Sequence, residues 1–193
     1  IWPINQLFNG LVQLDNDLNI KPELATSWKI SPDGLTYIFH LRKDVYFHES
    51  PVFGKKRTRN VKASDFVYSF NRLSDPKVAS PGSWVLQQVK EHKALDEFSL
   101  LIKLKKPFPA FLGLLSMRYC AVVPKEAVEY FGTNFRSNPI GTGPFYFKRW
   151  DENVKLVLRK NPTYFEFDSQ GERLPYLEAV AIKFIPDIQS EFM

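Results

Sequence analysis

The hydrophobic and polar positions alternate most tightly between Ala25 and Phe47. Tyr37, Phe39 and Leu41 fall on one face of an extended segment, and Ile38, His40 and Arg42 on the other. Period-two alternation marks a half-buried strand. Ser31-Pro32-Asp33-Gly34 precedes it. Proline presets its backbone angle, aspartate bonds nearby backbone and glycine accepts a positive φ, so a turn is predicted there and a β-hairpin at a domain edge. A second alternating run, Glu97 to Leu104, places Phe98, Leu100, Ile102 and Leu104 on one face. Between the two lies a helical period. Phe66, Phe70 and Leu73 recur at i, i+4 and i+7, predicting a helix over Ala63–Leu73, with Lys62 or Ser64 at its N-cap and Asp65 in its first turn.

The remaining elements follow from the same signals. Gln6-Leu7-Phe8 before Asn9-Gly10 reads as a helix end capped by glycine, and Leu11–Leu14 as a short strand. Asp15-Asn16-Asp17 turns the chain; the glycine and distal glutamate of a calcium loop are missing. Ala110–Leu115 reads as a short helix, Tyr119–Val123 as a buried strand and Pro124–Tyr130 as a helix closed by Gly132. Phe145–Trp150 and Val154–Arg159 form a predicted hairpin, and Ala179–Ile185 a final strand before Pro186-Asp187. The polar stretch Gly132–Pro139 is the expected crossing between two lobes.

Composition narrows the class. A chain of 193 residues that is 44% hydrophobic and 15% aromatic can build a sizeable core, which argues against disorder. No run approaches the roughly 20 apolar residues of a membrane span. The chain does not start with Met and reads as a piece of a longer protein. Its net charge of +5 is mixed in sign, and the densest basic run, Lys55 to Lys62, reads as a solvated surface loop, so nucleic acid is not an expected partner. Cys120, the lone cysteine, sits in an apolar run and reads as a buried, inert thiol.

Catalytic chemistry finds no support. There is no G-x-S-x-G elbow, and His40, His48 and His92 are not spaced as metal ligands. Gly141-Thr142-Gly143-Pro144 is not a nucleotide loop, because position 146 is Tyr and the segment leads into a strand instead of a helix. No catalytic residue, metal or cofactor is assigned.

Five blocks carry a resemblance: Leu7-Phe8-Asn9-Gly10-Leu11; the stretch from Ala25 through Asp33, Thr36-Tyr37, Phe39 and Leu41-Arg42 to Asp44; Val61–Phe70; Asn138–Phe145; and Leu156–Tyr164. In this order they resemble the signature of bacterial extracellular solute-binding proteins of the peptide- and nickel-binding family, family 5, the receptors of dipeptide and oligopeptide ABC importers. The longer Glu49–Asn60 loop departs from the family's short connection.

The resemblance implies a mixed α/β fold, periplasmic-binding-protein-like of type II. Residues 1–8 and 134–193 would belong to a discontinuous first lobe, 9–133 to a subdomain inserted in it, and the second lobe would be absent. It implies a receptor that captures oligopeptides between two lobes, hands them to an ABC transporter membrane permease, and works in the periplasm or outside the cell, lipid-anchored or free. Its partners would be a peptide ligand, the permease and the missing C-terminal lobe. The ligand-facing candidates are Trp84 in Ser80–Val85, Tyr119 in Met117–Cys120, and Ile140, Gly141, Thr142 and Gly143, whose glycines would let a peptide main chain approach. Two alternatives remain for these residues: Trp84 and Tyr119 as core, and the glycines as a structural turn. Two others remain for function: a sensor or regulatory module on the same fold, supported by the basic run, and a peptide or glycan hydrolase.

Overall fold

The Ser31–Gly34 turn forms as its residues demand. In the computed structural model, which describes residues 2–184, the Gly34 amide donates to the Ser31 carbonyl at 2.8 Å and the Leu35 amide to the Asp33 carboxylate at 3.0 Å, with Gly34 at φ +67°. The described elements in chain order are α1 (Trp2–Leu7), β1 (Val12–Leu14), β2 (Ile20–Pro22), β3 (Ala25–Ile30), β4 (Thr36–Leu41), α2 (Ala63–Ser74), β5 (Val89–Ala94), β6 (Ser99–Leu104), α3 (Phe111–Leu115), α4 (Lys125–Phe131), β7 (Phe145–Asp151), β8 (Lys155–Lys160) and β9 (Ala179–Lys183). Short 3-10 helices at Pro51–Lys56, Ser83–Leu86, Arg118–Cys120 and Gly132–Ser137 lie in the connections.

The strands make three antiparallel sheets: β1-β2, β3-β4-β6-β5 and β7-β8-β9. β4 is an interior strand, not part of an edge pair, because its second side takes β6 in register, Phe39 opposite Leu100 and Tyr37 opposite Ile102. The alternation reads through: Tyr37, Phe39, Leu41, Leu100, Ile102 and Leu104 are buried. On them lie Phe66 and Phe70 of α2 and Phe111 and Leu115 of α3, completing the larger core. A second, smaller core joins Leu7 of α1 to Phe145, Leu156 and Leu158.

α2 starts at an N-cap on Lys62, whose amide donates to the Asp65 carboxylate at 2.9 Å. Asp65 is nearly inaccessible, and its charge is answered by Arg59, whose guanidinium also pairs with Glu126 of α4 and stacks over Phe47 and Phe53. The basic run is therefore not wholly a solvated loop: Lys55, Lys56 and Arg57 are exposed, but Arg59 turns inward.

Two expectations are corrected. Tyr119–Val123 is not a strand: Arg118–Cys120 turns, and the amides of Val122 and Val123 go to the Asn9 carbonyl and the Ser69 hydroxyl, both at 3.0 Å, instead of a neighbouring strand. Gly10 does not cap α1 in the left-handed region, where the described glycines are Gly34, Gly54, Gly132 and Gly171; its amide donates to Glu23 at 2.6 Å. A 3-10 turn over Ser83–Leu86 carries Trp84 and precedes β5. The final strand is described as Ala179–Lys183, and the expected turn at Pro186-Asp187 lies outside the described residues.

Candidate functional site

Ile140 to Gly143 runs between the two cores, and the backbone of its two glycines is bonded within the chain. Ile140 is packed into the larger core. A Cβ on Gly141 would lie 2.0 Å from the Leu7 carbonyl oxygen, and one on Gly143 would lie 2.4 Å from that of Gln6, so only glycine lets the C-terminal turn of α1 sit this close. Gly143 donates to the Leu7 carbonyl at 3.0 Å, and the Gly141 carbonyl accepts the His48 amide at 2.8 Å. The Gly141 amide donates to His48 Nδ1 at 3.3 Å. This fixes the neutral tautomer whose Nε2–H donates to the Gly143 carbonyl, 3.0 Å away. Asn161 donates to that same carbonyl at 3.0 Å, and Thr142 donates its hydroxyl to Asn9 at 2.8 Å. His48 is fully enclosed, and burial pulls its pKa down to about 4 against the opposing pull of the Gly143 carbonyl.

Asn9 leads from this tie to an acidic group. Its amide donates to Glu23 at 2.8 Å, beside the bond from Gly10. Burial pushes the Glu23 carboxyl up to about 7; the Asn9 and Gly10 bonds work against that shift and the neighbouring Glu166 charge adds to it. Glu166 accepts from Tyr164 at 3.0 Å and from Gln13 at 3.2 Å. Burial, then Glu166, raises the Tyr164 pKa. Cys120 is a buried thiol whose pKa burial pushes up to about 12, so it is inert at neutral pH.

Three recesses open around Met117–Tyr119, and Arg118 borders all of them. One of about 330 Å³ is polar, walled by Asn5, Asn9, Gln13 and Glu23. One of about 200 Å³ lies against Phe8, Leu73 and Val78, and one of about 570 Å³ against Ile4, Leu14 and Met117. Tyr119 stands at this surface 39% exposed, its ring laid on Gly82 so closely that a Cβ there would be 2.2 Å from its Cγ. Trp84, two residues along the same loop, is 45% exposed. Of the six residues singled out in the sequence, Trp84 and Tyr119 are thus exposed, Tyr119 beside the recesses, whereas Ile140–Gly143 are buried as a tie.

Comparison with known proteins decides the family. The sequence signature described as "Bacterial extracellular solute-binding proteins, family 5 Middle" matches residues 19–192. The chain belongs to this family. Family 5 proteins are periplasmic or extracellular binding proteins. The chain is 35% identical to a probable di/tripeptide-binding protein 5 of Pseudomonas aeruginosa, over 94% of its own length and 36% of the relative's. It is 32% identical to heme-binding protein A of Haemophilus influenzae, over 97% and 36%. Among solved structures it superposes on the ABC transporter-associated periplasmic binding protein DppA of Helicobacter pylori, in complex with the peptide STSA. That match has a TM-score of 0.81 and 33% identity, covering 97% of this chain and 38% of the other. The mixed α/β fold is therefore that of the type II periplasmic-binding proteins, and the chain spans a little over a third of the length of the relatives it matches.

Sequence reasoning passed over Asn9, Glu23 and His48, and took in Arg118 only as part of Met117–Cys120. Asn9 and Glu23 are 14 residues apart and meet only because β1 and β2 fold back on each other. His48, between Phe47 and Glu49, carried no signal beyond being a histidine.

Proposed function

We propose that the whole protein is the solute-binding component of an ABC importer, taking peptides between two lobes, with the surface around Met117–Tyr119 and Trp84 as one wall of the cleft. The observation that carries this reading is that the exposed Tyr119 and Arg118 border a cluster of recesses, with Trp84 exposed on the loop that Tyr119 packs against, in a family several of whose relatives are named for peptides. Aromatic faces accept varied side chains, and a guanidinium suits a carboxylate, which is the chemistry of a peptide receptor with broad tolerance. Residues 1–8 and 134–193 belong to one lobe with 9–133 inserted in it. In support, Leu7 shares its core with β7 and β8 while 11–131 build most of the other core. Capture closes the lobes about a hinge, and the loaded receptor docks on a membrane permease, with the protein exported and held by a lipid anchor. Arg59 is occupied in folding, which removes part of the basic run from any regulatory surface.

The test is thermal melting of the full-length protein with pooled di-, tri- and longer peptides, and with heme and nickel–histidine alongside. A ligand at about 100 times its Kd adds about 2.7 kcal/mol of stability. A shift with peptides that Trp84→Ala and Tyr119→Ala reduce supports the reading. A shift with heme or nickel–histidine alone keeps the receptor and overturns the peptide. No shift in any pool overturns the receptor reading.

A further inference from the structure

Glu23 is a carboxylate that two uncharged groups hold in place. Its Oε1 accepts from the Asn9 side-chain amide at 2.8 Å and its Oε2 from the Gly10 backbone amide at 2.6 Å. The orientation of Asn9 is itself fixed, because its Oδ1 accepts the Thr142 hydroxyl at 2.8 Å and the amide nitrogen is thereby turned to Glu23. A carboxylate offers about four acceptor sites, so these two bonds leave about half of them open. The neighbouring charge that acts on Glu23 is the like charge of Glu166, itself held by the uncharged donors Tyr164 and Gln13. Burial and Glu166 together disfavour the ionised form, which is why the Glu23 carboxyl titrates at about 7.

The recess of about 330 Å³ that Glu23 lines is amphipathic. Asn9, Gln13 and Glu23 supply its polar part, and Phe8, Leu14 and Met117 its apolar part. Arg118 borders it as well, so a cation that enters is repelled on that side and drawn to Glu23. An unbranched apolar stem that ends in a cation matches this lining. Its methylenes lie along the apolar side chains, and its charged head meets the carboxylate in a charge-assisted bond. A peptide amino terminus brings the charge without the stem. A neutral side chain brings the stem, but covers the carboxylate without answering its charge.

We infer that Glu23 sets a preference for peptides with a basic side chain, lysine foremost, whose ammonium enters this recess and pairs with the Glu23 carboxylate. The preference rests on the peptide-receptor reading, because the recess opens beside Met117 and Arg118 of the proposed cleft wall. Pairing with an ammonium favours the ionised carboxyl. A group that is half protonated at pH 7 therefore gives up about half a proton to the buffer when the lysine peptide binds.

Isothermal titration of the full-length protein at pH 7 tests this, with short peptides of one length that carry lysine or norleucine at each position in turn. Norleucine keeps the stem and lacks the ammonium. At one position the lysine peptide should bind at least about tenfold tighter than its norleucine twin. Titrations in two buffers of different ionisation enthalpy should show about half a proton more released with lysine than with norleucine. Glu23→Gln should bring the affinity ratio toward one and abolish the extra release, with thermal melting beside the wild type to report that the variant folds. Should it not fold, Glu23→Asp, which withdraws the carboxylate by one methylene, should reduce the same ratio. Equal affinities at every position overturn the preference and leave the receptor reading standing, whereas no binding of any peptide overturns both. A lysine preference that Glu23→Gln keeps, or that comes without extra proton release, also overturns it.

Discussion

His48 and Glu23 show how much a single residue's depth decides. The folded His48 pKa lies near 4 against 6.5 for a free imidazole, so the unfolded chain binds the proton first. Stability from this group is therefore complete above about pH 6.5 and falls as the pH drops toward 4, by roughly 3 kcal/mol in all. His48→Gln should flatten that acid limb in urea titrations, and an unchanged pH slope would remove His48 as its cause. Glu23 runs the other way. Its pKa is raised to about 7 from 4.5, so its contribution is complete below the unfolded value and is lost as the pH rises through 7, with Glu166 and Tyr164 the ionisable groups facing it. Glu23→Gln should raise the urea midpoint at about pH 8, worth about 1–2 kcal/mol, and leave it unchanged at about pH 4. Gly141→Ala meets the Leu7 carbonyl and should cost about 3 kcal/mol, whereas Gly113→Ala, with open space around it, should be tolerated on denaturation.

Among the elements, α2 depends on an ion pair more than its amphipathic pattern discloses. Its apolar face, Phe66, Phe70 and Leu73, is plain in the sequence and is buried as expected. What holds its N-terminus is Asp65, bonded to the Lys62 amide and to two nitrogens of Arg59 at 2.8 and 2.7 Å. Removing Arg59 leaves a buried carboxylate alone, and Arg59→Ala should destabilise the protein by about 3–5 kcal/mol. Arg59→Lys should recover only part of this, because an ammonium cannot bond Asp65 and Glu126 through two planar forks at once. A loss under 1 kcal/mol in chemical denaturation would show that Asp65 is solvated instead. The β3–β4 hairpin and the β7–β8 hairpin were legible because a turn and two alternating runs lie within a few residues. β5 was not, since Val89–Ala94 carries charges at Lys90, Glu91 and Lys93 and takes its strand conformation from pairing with β6.

For the molecule as a whole, the proposed reading makes the surface around Met117–Tyr119 one wall of a cleft. Small-molecule sites bury about 70–90% of their ligand, and the recesses around Arg118 enclose one side. Residues 1–193 alone should therefore bind any ligand of the full-length protein orders of magnitude more weakly, which isothermal titration of the two proteins would measure; equal affinities would place the whole site within these residues. The exposed Tyr176 and Leu177 add that the shorter chain should self-associate with rising concentration in sedimentation, through the surface they display.

Five residue blocks in order along the chain carried the resemblance to the family and to its type II fold, and the period-two strands, the amphipathic helix and the Pro-Asp-Gly turn were legible beside them because such local signals need no distant partner. The sequence also marked Trp84 and Tyr119, which the structure leaves at the surface. Tertiary structure alone decided what Gly141 and Gly143 do. Sequence sees two residues without side chains, and only the close approach of the α1 carbonyls tells a tie from a ligand contact. It decided likewise that Tyr119–Val123 is no strand, since a strand exists only where a neighbour offers its edge. And it assigned His48 and Glu23 their shifted pKa values, because burial is a property of the packed whole and no residue carries it in its name.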